Sequence, residues 1–367
     1  MRTNVMSHFL RSALAVVLTG ATLAVPPDSV SAAERNLETW MRGKDLTLVV
    51  TFRAGGGHDL TARMIAKTGP KYFPGKPRIL VKNLPGSGGL RGLRYAYQQK
   101  PDGLTASQLH PQFLLRPLIG MEMEGFDPSK IRLVGNLRGG TPQQLLCVRR
   151  SVATSWDEVV KLGRPITFGD TSFGSSGGAG AMFLQLIGGP VKVVTGYGGT
   201  AGIMAALDRG ELDSGRACLI GRDDTIERLH PEWLRKPTYL VPIAYYGEKP
   251  DEARLRELGL DMPPLLFDLP GIRYTKAQRD ALELNVLLTA VGNRSVWLPP
   301  GVPDDMFRAW SHMIRSLEKD AEFIELSKVG GQEVRYVSGE ELETFLRRAR
   351  DLPPEGLALL RRLNTGK

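Results

Sequence analysis

The sequence is poor in cysteine and histidine. Two cysteines in 367 residues exclude a disulfide-dense scaffold and a four-cysteine zinc site. The five histidines include His8 near the N-terminus and show no H-E-x-x-H spacing. The acidic pair Asp223-Asp224 lies between Arg222 and Arg228 and reads as solvated surface, so no metal site is expected. Beyond the N-terminus there is no apolar run of 18 residues, which excludes a bundle of membrane-spanning helices. Blocks of five or more like charges are also missing. The phosphate fingerprints fail as well. Gly55-x-Gly57 is followed by Leu60, and Gly86-x-Gly88 by Arg91, where a dinucleotide loop needs glycine. No loop ends in Gly-Lys-Ser/Thr, so a nucleotide enzyme is disfavoured and no cofactor is expected.

What is present is glycine: 42 residues, about 11% against a usual 7% or so. Hydrophobic content of 42% with 24% charged residues belongs to a folded chain long enough for two domains. Arg2 and Arg11, the apolar stretch Ser12 to Val25, and the A-x-A-like Val30-Ser31-Ala32 read as a cleaved secretory signal peptide over residues 1–33. A membrane anchor is the alternative, but the stretch is short and lacks stop-transfer charges. Export to the periplasm follows. The formal charge of +9 becomes +8 when residues 1–33 go, because they hold two basic residues and one acidic one. In an exported chain, that excess points to solubility or to anionic small molecules rather than to nucleic acid.

Leu46 to Val50 is a buried strand running into Phe52-Arg53-Ala54-Gly55-Gly56-Gly57-His58-Asp59, with a helix from Leu60 to Lys67. Arg78 to Val81 is the next strand, followed by the loop Asn83 to Gly89 and a helix from Leu90 to Gln99. Pro101-Asp102-Gly103 then turns the chain into a strand at Leu104 to Gln108. The order recurs with a strand at Pro165 to Phe168, a small-residue loop from Thr171 to Gly180 and a helix at Ala181 to Leu186. A strand at Val191 to Val194, the loop Gly196 to Thr200, a helix at Ala201 to Asp208 and a strand including Ala217 to Ile220 complete it. Between the halves, Asn136 to Pro142 reads as a boundary and Gln144 to Val148 as a strand. Ser155 to Glu158 and Ser338 to Glu341 are capping boxes, and Tyr239 to Tyr245 is the apolar run through which the chain returns. Two such runs imply two α/β domains with mostly parallel sheets, whose ligands bind beyond the carboxyl ends of the strands.

Amides at a helix N-terminus, presented by glycines, form an anion-binding nest. Tight βα turns are the competing use of the same glycines. A hydrolase is the alternative function: Gly174-Ser175-Ser176-Gly177-Gly178 matches G-x-S-x-G between a strand and a helix. Asp170 to Phe173, however, separate the strand from the motif. His230 sits in a surface turn, and His312, beside Trp310 and Met313, reads as a packing position.

At these loops the sequence resembles the extracytoplasmic solute receptors of tripartite tricarboxylate transporters, the Bug family. The matching stretches are Phe52 to Asp59, Asn83 to Gly89, Pro101-Asp102-Gly103, Gly174-Ser175-Ser176, Val194 to Thr200, Gly210 to Asp213 and Leu298 to Pro303. The resemblance implies a periplasmic-binding-protein-like α/β fold of type II, a Venus flytrap with the ligand cleft between two domains. It implies a small organic acid as ligand, permease subunits as transient partners, and no catalysis. The positions it assigns to the ligand are Phe52, Arg53, Ala54, Gly55, Gly56, Gly57 and Asp59 on one side. On the other they are Thr171, Gly174, Ser175, Ser176, Tyr197, Gly198, Gly199 and Thr200. Thr51 replaces a proline common in the family, and Ser175-Ser176-Gly177-Gly178 lacks the family's histidine.

The expected division is 34–138 with 243–367 as one domain and 139–242 as the other, in a monomer. Arg53 is either a bidentate carboxylate clamp or a solvated charge. Asp59 reads as a helix cap before it reads as a ligand contact. Tyr197 offers a hydrogen bond or a stacking face. Ser175 and Ser176 offer hydroxyls or cap the next helix. Cys147 and Cys218 fall on strands of one domain, and export permits a disulfide between them; two separate buried thiols are the alternative.

Overall fold

The computed structural model describes residues 35–367 apart from 56, 138–142, 176, 198–199, 217, 219–225, 227–228 and 330–333. The leader 1–33, the boundary at 138–139 and the Asp223-Asp224 pair lie outside the described residues.

A single helical turn, α1 (Leu37–Trp40), precedes β1 (Leu46–Val50), α2 (Gly57–Thr68), β2 (Ile79–Asn83), α3 (Leu90–Tyr97) and β3 (Thr105–Leu109). Then come α4 (Gln112–Leu115) and β4 (Arg132–Asn136). The second run is β5 (Gln143–Arg149), α5 (Trp156–Lys161), β6 (Ile166–Gly169), α6 (Ala179–Leu186), β7 (Val191–Val194), α7 (Thr200–Asp208), β8 (Ser214–Gly215) and β9 (Leu240–Gly247). The chain ends with α8 (Glu252–Glu257), α9 (Lys276–Val291), β10 (Ser295–Leu298), α10 (Asp304–Ser316), α11 (Ala321–Val329), β11 (Val337–Ser338), α12 (Gly339–Arg350) and α13 (Pro354–Thr365).

Two mixed sheets result, one of six strands in the order β11-β4-β10-β3-β1-β2 and one of five in the order β7-β6-β8-β5-β9. β1, β2 and β3 are parallel, with Leu46 opposite Ile79 and Thr47 opposite Thr105. β6, β7 and β8 are parallel in the same way. The antiparallel strand inside each sheet is the first one laid down after the chain leaves the other: β5 between β8 and β9, and β10 between β3 and β4. β8 lies upstream of the strand expected at 217–220, three of whose residues lie outside the described set.

Each sheet is covered on both faces, which is why β1 and β10 read as nearly continuous apolar runs. α2 and α10 bury Ala62, Ile65, Trp310 and Met313 on one face of the first sheet, while Leu93, Phe113 and Leu342 of α3, α4 and α12 fill the other. The second sheet is packed by Trp156 and Phe183 on one side and by Ile203, Met204 and Leu207 of α7 on the other. His312 is a correction. Met306, Trp310 and Met313 form the buried face of α10, and His312 falls on its exposed face rather than in the packing.

α9 and α13 belong to both cores. Ala281, Leu282, Val286, Leu359 and Leu363 pack under the second sheet, whereas Leu284, Leu288 and Leu360 pack under the first. Asn364 Nδ2 donates to Asn285 Oδ1 (3.0 Å), tying the two helices together. A full capping box of Thr275 and Gln278, not read from the sequence, opens α9. Ser155 and Ser338 cap α5 and α12 through the amides of Glu158 and Glu341. Glu158 reaches back to Thr154.

Cys147 of β5 and Cys218 form a disulfide, their Cα atoms 5.4 Å apart and 71 residues apart in sequence. Closing that span contributes roughly 4 kcal/mol by chain entropy. Thiol titration of the unfolded, unreduced protein should therefore find no free cysteine, and reduction should lower the urea midpoint; two titratable thiols would count against the bridge.

Candidate ligand site at two facing strand edges

On the first sheet, β1 ends at Val50, and the chain runs on through buried Thr51 and then Phe52, Arg53, Ala54 and Gly55 into α2. Gly55 adopts φ +84° with open space around its missing Cβ, so glycine is required there by the backbone turn. The buried Asp59 carboxylate holds the loop closed: Oδ2 accepts from Gly55 N and from Arg63 Nε, both at 2.9 Å. Burial pushes that carboxyl up, but the Arg63 and Gly55 hydrogen bonds outweigh it and hold it below the usual carboxylate range. Asp59 thus ties the glycine loop to the first turn of α2. Arg53 is exposed and makes no ion pair among the described residues, and Gly56 lies outside them.

Gly57 is glycine for a different reason: Arg294 Nη2 occupies the space a Cβ would take. Arg294 reaches there from the turn before β10, at φ +66°, and its Nη1 donates to Thr61 Oγ1 (3.0 Å). A guanidinium beside a helix N-terminus makes this corner electropositive. Above it, Phe52, His58 and His110 form a ring cluster, with centroids 4.4 Å (Phe52–His58), 6.3 Å (His58–His110) and 6.5 Å (Phe52–His110) apart. His110 Nδ1 accepts from Gln112 N (3.3 Å), which assigns the proton of the neutral ring to Nε2.

On the second sheet, β6 ends at Gly169 and is followed by Asp170, a residue only 2% exposed. Its Oδ1 accepts from Thr171 N (2.6 Å), and its Oδ2 accepts from Ser175 Oγ. Burial pushes the Asp170 carboxyl up, against the pull of Ser175, Arg216 and Thr171. Gly178 leaves the space that Oδ2 fills. Gly174, at φ +74°, donates its N–H to Leu363 O (3.1 Å), so α13 fixes the loop. Tyr197 is half-buried and donates its N–H to Asp170 O (3.4 Å), and Thr200 opens α7. Ser176, Gly198 and Gly199 lie outside the described residues.

The two carboxyl edges are coupled through charge. Arg216, one residue beyond β8, places Nη1 3.3 Å from Thr171 Oγ1 and 3.8 Å from Asp170 Oδ1. His110, one residue beyond β3, feels that charge: burial first, then Arg216 and Arg116, push its imidazole down to about 4. Arg116 itself stacks over Phe113, 4.8 Å from the ring centroid. None of His110, Arg116, Asp170 and Arg216 was picked out from the sequence. The usable signal was position, since His110 and Arg216 each directly follow a strand at a ligand edge.

No protein-family model and no curated protein sequence matches the chain. Solved structures do match it. A TctC solute-binding protein from Polaromonas, solved with no ligand, is 16% identical over 87% of this chain and 99% of its own, with a TM-score of 0.60. The periplasmic binding protein BugD is 21% identical over 88% of this chain and 98% of its own, with a TM-score of 0.57. An R. palustris protein solved with adipate is 19% identical over 87% of this chain and 97% of its own, with a TM-score of 0.59. The chain has the type II periplasmic-binding-protein fold.

In this binding-protein fold, Phe52, Gly57 and Asp59 stand at one strand edge, and Thr171, Gly174, Ser175, Tyr197 and Thr200 at the other. Ser175 donates to a carboxylate, not to a histidine. Among the described residues no group of His, Cys, Asp and Glu is arranged to hold a metal ion.

Two outcomes are expected. His110 titrates near 4 when folded and near 6.5 when unfolded, so on acidification the unfolded chain takes up a proton that the folded one refuses. Stability is therefore complete above pH 6.5 and falls towards pH 4. Allowing for partial exposure, the loss between pH 7 and pH 5 is about 1–2 kcal/mol. Urea denaturation at both pH values should show His110→Gln losing that much less; equal slopes would remove His110 as the acid-sensitive group. Gly178→Ala drives a methyl into Asp170 Oδ2 and should destabilise by about 1–3 kcal/mol, an effect relieved when Asp170→Ala is added.

Proposed function

We propose that the chain is an exported receptor that binds one small organic carboxylate between its two lobes, without chemistry, and hands it to membrane permease subunits of the tripartite tricarboxylate type. The observation that carries this reading is the positive charge gathered at the two strand edges, where Arg216 and Arg116 act on His110 and Arg294 lies against the start of α2. A carboxylate suits such a corner: it can accept from guanidinium, imidazole N–H and helix-terminal amides together. The adipate in the R. palustris structure of the same fold supports an organic acid as ligand.

In this proposal residues 1–33 are the cleaved signal peptide and the mature receptor works in the periplasm as a monomer. Residues 34–138 with 243–367 form one domain and 139–242 the other. The ligand lies between Phe52 to Asp59 and the loops Thr171 to Ser176 and Tyr197 to Thr200.

The test is a thermal-shift screen of residues 34–367, refolded from denaturant to strip bound ligand, against acetate, succinate, adipate, citrate, benzoate and glutamate. A ligand at 100 times its dissociation constant should add about 2.7 kcal/mol of stability, a shift of a few degrees. Stoichiometric binding of one acid without product formation is expected. A flat response to every acid, or turnover of any of them, goes against the receptor.

A further inference from the structure

Arg216 carries a charge that its own lobe answers only in part. A guanidinium has five N–H donors, and the described residues take one of them, at Thr171 Oγ1 (3.3 Å). Asp170 Oδ1 stands 3.8 Å away, an ion pair beyond hydrogen-bond reach, and that carboxylate already accepts from Thr171 N and Ser175 Oγ. The Arg216 side chain is nevertheless only 25% exposed, so water reaches few of the remaining donors. Space is kept for it: a Cβ at Gly177 would stand 2.9 Å from Arg216 Cβ.

The opposite edge has the same demand. His110 presents Nε2–H, because Nδ1 accepts from Gln112 N. Behind it on the same face of β3, Gln108 is fully buried, and neither atom of its amide finds a hydrogen-bond partner among the described residues. Buried polar groups without partners are rare, and each calls for a group to meet it.

What holds Arg216 in place is unusual. β8 is only two residues long, pairing Ser214 with Val148 and Phe168, and Arg216 N donates to Gly169 O (3.2 Å). Two residues beyond Arg216, Cys218 is bonded to Cys147 of β5. The arginine is therefore fixed on one side by a minimal strand and on the other by a covalent strut.

We propose that Arg216 is the specificity-determining residue that grips the ligand's carboxylate from the second lobe, opposite His110, and that the Cys147–Cys218 disulfide is the strut that keeps it aimed. This rests on the receptor reading above. It differs from reading by glycine amides alone, because a side-chain charge from one lobe sets the preference for an anion.

The experiment is calorimetric titration of the tightest acid from the screen into wild type, Arg216→Lys and Arg216→Gln, with and without Cys147→Ser plus Cys218→Ser. Arg216→Gln should weaken binding by about 10- to 100-fold, the loss of a charge-assisted hydrogen bond. Arg216→Lys should recover only part of it, since an ammonium cannot match the bidentate fork. The double serine variant should weaken binding when Arg216 is present and change little in the Arg216→Gln background. If the cysteine variant does not fold, reduction of folded wild type gives the same comparison. Wild-type affinity in Arg216→Gln overturns the grip while leaving the receptor intact. An equal loss on removing the disulfide in both backgrounds overturns the strut. Wild type that binds none of the acids overturns the receptor reading itself, and the inference with it.

Discussion

A carboxylate in the interior must be met by hydrogen bonds or it costs several kcal/mol, and Asp170 imposes that constraint on the second lobe. Placed at the end of β6, it draws in Ser175 Oγ and the Thr171 amide, which bends the loop 171–175 back over it. Gly178 is then obligatory, since any Cβ would meet Oδ2. Arg216 settles at 3.8 Å, close enough to feel the charge and too far to be consumed by it. The same loop is tied from behind by Gly174 to Leu363 of α13, a helix whose other face packs under the first sheet. One buried acid thus sets the loop, the arginine and the glycine beside them.

The glycines divide by cause. At Gly55 and Gly196, φ is positive and the missing Cβ would meet nothing, so the backbone bend alone demands glycine. At Gly57, Gly177, Gly178 and Gly180 the empty space is filled by Arg294, Arg216, Asp170 and Tyr246. Close approach at those four positions serves the protein's own side chains. The loops frame charged groups held partly out of water, where a guanidinium discriminates an anion more strongly than a dipole does.

Much of the architecture was legible because strands covered on both faces are β-branched apolar runs of strand length. Leu46 to Val50 and Val191 to Val194 are the clearest examples, and helix starts fell within about three residues of those observed. Strand direction was not legible. β5 and β10 run antiparallel because the chain has just crossed between sheets, and no local pattern records a crossing. The pair at the site was hidden for a related reason: the Arg216 charge acts on His110 although the two follow strands far apart in sequence. His312 misled because its neighbours are buried, yet it lies two positions past Trp310, on the other side of the helix.

The contact between Ser175 and Asp170 has the form of a nucleophile beside a base, and its chemistry says otherwise. A carboxylate is far too weak a base to hold a serine proton, even with its affinity raised by burial, because a hydroxyl is several orders of magnitude less acidic. Activation of serine needs an imidazole between the two, able to take the proton and be steadied by the acid. Here the acid contacts the hydroxyl directly, and one of the two imidazoles at the site, His110, directs Nδ1 to a backbone amide. Its titration near 4 also leaves it a poor proton acceptor at neutral pH. The hydroxyl therefore spends its proton on solvating Asp170. Among the described residues at the two edges, Arg216, Arg294 and the His110 ring present donors in fixed positions, a set suited to holding an anion.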